Sequence, residues 1–155
     1  MKQLFIIVLS GLILSAGVNG AEPVGAKLTP RLKELLADEM RQVAEASGEI
    51  ALAIAAGDHA GVSQLAAAVR DSFILKQSLT EQDKKDLMSA VPAEFVLLDK
   101  HFHGLAGKLA QQAEMQDSEL QRYYFSEMLE VCVACHSQFA TDRFPGLSEQ
   151  QTDGH

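Results

Sequence analysis

From Leu32 to Cys135, apolar residues return at intervals of three and four, the spacing that lines one face of an α-helix. Strand-favouring runs are scarce. Ala, Leu, Glu, Gln and Lys dominate instead, residues that lose little side-chain freedom in a helix. The expectation is an all-α protein. Thr29-Pro30 reads as an N-cap followed by proline at the first helical position. Leu32, Leu36, Met40, Val43, Ala46 or Ser47, Ile50 and Ile54 then carry an inward stripe as far as Gly57. Asp58 can cap a second helix with Val62, Leu65, Val69 and Phe73 inside. Residues 78–91 read as a connection, in which Thr80-Glu81-Gln82-Asp83 resembles a capping box and sets one or two helical turns. Pro92 opens a third helix, with Phe95, Leu98, Phe102, Leu105 or Ala106, and Leu109 on one side. Asp117 caps a fourth that runs to about Ala140, with Leu120, Tyr124, Met128, Val131 and Cys135 as its stripe. None of these helices can hide its stripe alone, and mostly short connections suit an antiparallel four-helix bundle. The chain of 155 residues is expected to form a single domain over residues 21–145, followed by a polar tail at 146–155.

The first twenty residues belong to a different category. Lys2 gives a basic start, Leu4 to Val18 form an apolar run, and Val18 and Gly20 are small residues just before Ala21. That layout is a secretory signal peptide, cleaved near Gly20/Ala21 and directing the chain to the periplasm. A retained membrane anchor is the alternative, although the run falls short of the ~20 apolar residues a spanning helix needs. Removing residues 1–20 removes one lysine and no acid, so the formal net charge moves from −8 to −9. An acidic surface speaks against nucleic acid as a partner, because phosphate backbones require concentrated Lys and Arg. It suits partner proteins that present basic patches, and a charge that serves only to keep the protein in solution is the alternative.

The chemistry is concentrated in Cys132-Val133-Ala134-Cys135-His136. On a helix, residues three and four apart share a face, so both thiols and the imidazole converge on one region. This is the pattern of c-type haem attachment. Each thiol forms a thioether with one vinyl group of the porphyrin, and His136 ligates the iron. The two cysteines are the only ones in the chain. The expected cofactor is therefore one covalent haem c. Three alternatives compete. A redox-active Cys-x-x-Cys pair belongs at the start of a helix after a strand, whereas this motif sits near the end of a long helix. A zinc site needs about four ligands, and only His101 and His103 could join these three. A structural disulfide is poorly served by two cysteines three residues apart on one helix.

With the motif near the end of a fourth helix, the chain resembles the class II c-type cytochromes, the cytochrome c′ group, over roughly residues 28–143. A softer match runs from Phe102 through Asp117 to Phe125, where an aromatic-led apolar helix and an acidic cap precede the motif helix. Phe139, three residues after His136, matches as an aromatic packed on the haem. The chain departs from that plan by continuing to His155 and by offering only Arg143 as a nearby basic residue.

The resemblance implies that the residue facing the second side of the iron comes from the first helix. Met40 is the candidate, giving a six-coordinate electron carrier. The alternative is that Met40 packs in the core and an apolar residue such as Val43 takes the place, leaving iron five-coordinate and open to NO or CO. His101 and His103 flank Phe102 and are expected to be solvated or half-buried, and His59 to be a surface residue. Arg143 is read as a contact for a haem propionate, with a free surface arginine as the alternative. One of Tyr123 and Tyr124 is expected to pack inward. The resemblance also suggests a homodimer packed through the first two helices. No arrangement of nucleophile, base and oxyanion donors is visible, so the expected role is electron transfer, not enzymatic bond chemistry. A haem-free helical redox or metal-binding module remains the reading from another class.

Overall fold

The computed structural model describes residues 23–71 and 79–148, and no β-strand occurs among them. The helices are α1 (Val24–Lys27), α2 (Pro30–Ala56), α3 (His59–Asp71), α4 (Glu81–Ala90), α5 (Ala93–Glu114), α6 (Ser118–Phe139) and α7 (Pro145–Ser148). None of the described helices is long and apolar enough to cross a membrane. The export segment expected over residues 1–20 lies outside the described residues, as do Phe73 and residues 149–155.

Local chemistry accounts for the ends of these helices. Thr29 accepts a hydrogen bond from the Leu32 amide and Pro30 stands at the first helical position, so α2 starts where the sequence says it should. The helix stops at Gly57, whose φ of 69° is left-handed and costs glycine nothing. Asp58 then receives the Gly61 amide at 2.9 Å and starts α3. Asp117 accepts from the amides of Glu119 and Leu120 and starts α6. Pro92 serves as the residue before α5 and not as its first member, a shift of one position.

The stretch read as a connection is a ten-residue helix, α4. Its capping box is complete. Thr80 Oγ1 accepts from the Asp83 amide, and Asp83 Oδ2 accepts from the Thr80 amide and hydroxyl. Asp83 also meets Arg31 of α2 at 3.2 Å, so the cap is tied across the fold, and further along the helix Leu87 and Ala90 pack against buried apolar residues. The tail after Pro145 likewise begins as a short helix, α7, not as a loose strand of chain.

Helix α3 packs along α5, α5 along α6, and α2 touches both α3 and α6. One core fills the space between them: Val43 and Ile50 of α2, Val62, Ala66 and Val69 of α3, Phe102, Leu105, Ala106, Leu109, Ala110 and Ala113 of α5, and Met128 and Val131 of α6. Each large aliphatic side chain buried here contributes about 1.5–3 kcal/mol. The alanines bring backbones close, and the larger residues fill the facing gaps. A second, smaller cluster of Val24, Leu28, Leu32 and Phe139 lies beneath α1 and α4, with Leu36, Leu87, Phe95 and Cys135 against it. The motif sits where the two clusters meet, Cys132 packing on the first and Cys135 on the second.

Two stripes deviate by one position. On α6 Leu120 is exposed, while Gln121 beside it is buried and bonded to His59. That pairing also makes His59 a half-buried residue at the start of α3, not a surface one. On α2 Glu39 is 2% exposed and Met40 is 38% exposed, so the acid and not the methionine faces inward at this turn. Tyr124 is half-buried against the core and Tyr123 is exposed.

Candidate functional site

Cys132, Cys135 and His136 occupy the last two turns of α6, and all three line one cavity of about 1160 Å³. Small-molecule sites commonly run to about 300–1,000 Å³, so this space accepts a large organic group. Its walls come from α2 (Leu36, Met40, Val43), α5 (Phe95, Leu98, Phe102), α6 (Leu129, Val131, Phe139) and the turn beyond α6 (Arg143, Phe144). Most of these are apolar. Phe139 is buried and meets Phe95 edge-to-face, with centroids 5.6 Å apart, in the part of the wall against which Cys135 packs.

Burial favours the uncharged form of all three motif side chains. Both cysteines are free thiols and half-buried. Burial raises the Cys132 thiol, and burial, then the neighbouring Cys132 and Asp99, push Cys135 up to about 11. A reactive redox pair needs depressed thiol pKa values, so these environments oppose that alternative. His136 moves the other way. Burial, helped by the charge of Arg143, lowers it, and a neutral imidazole with a free lone pair is the form that binds metal. The His136 ring is stacked on Phe144, centroids 4.2 Å apart and planes 7° from parallel.

Met40 and Arg143, both singled out in the sequence, line the same cavity as the motif, each with an exposed side chain. His101 is exposed on the surface of α5. His103, expected to be solvated or half-buried, is instead 7% exposed. Its Nδ1–H donates to the Val69 carbonyl at 2.8 Å, and its Nε2 faces Asp99 at 3.6 Å and Glu39 at 3.9 Å. A helical stripe is wide enough to include the residue after Phe102 when a neighbouring helix supplies an acceptor there. The zinc alternative required His101 or His103 to turn toward the cysteines. Among the described residues, no three His, Cys, Asp or Glu side chains come together as a metal-ion site.

Sequence reasoning missed Glu39, Asp99 and His103 as wall residues, together with Lys33 and Arg41. The signal for Glu39 was faint: an acid adjacent to an apolar stripe is ordinarily solvated, and only the histidine across from it marks it as buried. Lys33, Arg41 and Arg143 give the rim cations suited to carboxylate groups. The donor set, the apolar walls and the volume fit a haem. Comparison with protein-family models, with curated proteins and with solved structures finds no match for this chain.

Proposed function

We propose that this chain is an exported mono-haem c-type cytochrome of the cytochrome c′ kind, an antiparallel four-helix bundle that works in periplasmic electron transfer. One observation carries the reading: two half-buried thiols and an imidazole, all from the last two turns of α6, line one large and mostly apolar cavity whose wall also contains a methionine. Cys132 and Cys135 would hold the group through thioethers, His136 would ligate its iron, and Met40 is the candidate on the other side. When bound, haem supplies a one-electron iron centre.

The chain's own residues do the rest. Phe95, Phe102 and Phe139 give the cavity apolar walls, and an apolar surrounding would favour the less charged iron state. Lys33, Arg41 and Arg143 at the rim offer partners for propionates. Partner proteins with basic patches suit the acidic surface.

A second reading, binding of NO or CO, draws support from the exposure of Met40 beside the buried Val43 in the same wall. If Val43 covers the iron, that face stays open to small gases. Mass spectrometry of the mature protein from an export-competent, haem-competent host tests the shared premise: covalent tetrapyrrole mass is expected, and free thiols without it would refute both readings. The visible spectrum then separates them. A low-spin spectrum indifferent to CO, lost in Met40→Ala, is expected for electron transfer; high-spin bands that shift with CO would overturn Met40 as a ligand.

A further inference from the structure

The residue immediately after Arg143 has no role in the reading so far, yet it makes the closest ring contact in the site. Helix α6 ends at Ala140, whose φ of −134° and ψ of 35° leave the helical region. The Ala140 carbonyl then accepts both the Arg143 amide at 2.9 Å and the Phe144 amide at 3.0 Å. The chain is thereby folded back on the last turn of α6. Pro145 follows, and a residue before proline is driven out of the helical region, so Phe144 is held outside both helices. The Phe144 carbonyl accepts from the Leu147 amide at 3.0 Å and is fixed from the other side as well. The result is the parallel stack on His136 described above.

A parallel stack covers one face of the imidazole and leaves its edge clear. The lone pair that binds a metal lies in the ring plane, at that edge, so the contact does not compete with ligation. Ligating histidines are ordinarily oriented by a hydrogen bond to their other ring nitrogen. Among the described residues, no such hydrogen bond reaches His136, and the stack is its ring contact. We infer that Phe144 is the positioning residue of this site: its ring sets the plane of the His136 imidazole, the plane in which that ring would ligate iron. This rests on the reading of His136 as the iron ligand and adds to it a residue that the attachment motif does not contain.

The test uses Phe144→Leu, which keeps apolar bulk without a ring, and Phe144→Tyr, which keeps the ring. In the full-length chain produced without haem attachment, proton NMR reads the ring protons of His136, assigned by their loss in His136→Gln. Upfield ring-current shifts are expected in the parent and in Phe144→Tyr, and their loss in Phe144→Leu. In the haem-loaded ferric protein, electron paramagnetic resonance reads the anisotropy set by the imidazole plane. A changed anisotropy in Phe144→Leu and a retained one in Phe144→Tyr are expected, with His136 still bound. Ring protons that do not move in Phe144→Leu, or identical resonance spectra in the two variants, would overturn the inference. The haem-free arm is independent of cofactor attachment, so a failure of the cytochrome reading would be visible separately, in the mass spectrum.

Discussion

Leu109→Ala is the perturbation whose size the structure constrains best. Leu109 is 0% exposed, in the C-terminal half of α5, within the core shared by α2, α3, α5 and α6. The substitution removes three carbons, worth roughly 0.8 kcal/mol each in lost transfer free energy, or about 2.4 kcal/mol together. A cavity term adds about 24 cal/mol per Å³ of space left behind. Collapse into that space is limited, because Ala106, Ala110 and Ala113 already bring α5 close to its neighbours. The expected loss is therefore about 3–4 kcal/mol, inside the range seen for buried Leu→Ala changes. The measurement is urea unfolding followed by far-ultraviolet circular dichroism at 25 °C, with Cys132 and Cys135 replaced by serine in every variant so that haem binding adds nothing to stability. Leu97→Ala is the control on the same helix: it is 65% exposed and should change stability by less than about 0.5 kcal/mol. A loss below about 1 kcal/mol at Leu109, or an equal loss at Leu97, would refute the packing described here.

Three further outcomes follow from local geometry and charge. Thr80→Ala removes one half of the capping box of α4 and should cost about 1 kcal/mol by the same urea assay, with the slope unchanged. Gly57→Ala puts a Cβ at φ of 69°, where the space is open but the backbone is left-handed, so a loss of roughly 1–2 kcal/mol should appear as a lower melting temperature. His103 is opposed by burial, yet its contacts with Asp99, the Val69 carbonyl and Glu39 outweigh that and raise it above 6.5. A raised histidine contributes stability that is complete below the unfolded pKa and fades as pH climbs through the folded one. Stability should thus decline on going upward from about pH 6.5, and His103→Gln should flatten that decline in urea titrations at successive pH values.

Much of the fold was legible because helices announce themselves locally. Thr29-Pro30, Gly57, Asp58 and Asp117 act within a few residues of the ends they mark, and each does so in the structure. The inner positions Leu32, Val43, Ile50, Val62, Val69, Phe102, Leu109, Met128 and Val131 follow from a period of 3.6 residues, and all are buried. The length of α4 was less legible. A capping box gives a start, but Leu87 and Ala90 further along pack on a cluster built by α1, α2 and α6, and Asp83 meets Arg31 fifty-two positions away; no local pattern reports such partners.

The site divides along the same line. That Cys132, Cys135 and His136 share one side of a helix follows from their spacing alone, since backbone geometry places neighbours at three and four positions together. Whether they faced a cavity, and which residues completed its walls, depended on how α2 and α5 were set against α6. Glu39, His103 and Phe144 therefore escaped the sequence, because their environments are made by groups distant along the chain or by a turn whose path the side-chain pattern does not encode. Periodicity is a property of one helix; a cavity with its acidic and stacked neighbours is a property of several, and only their packing decides it.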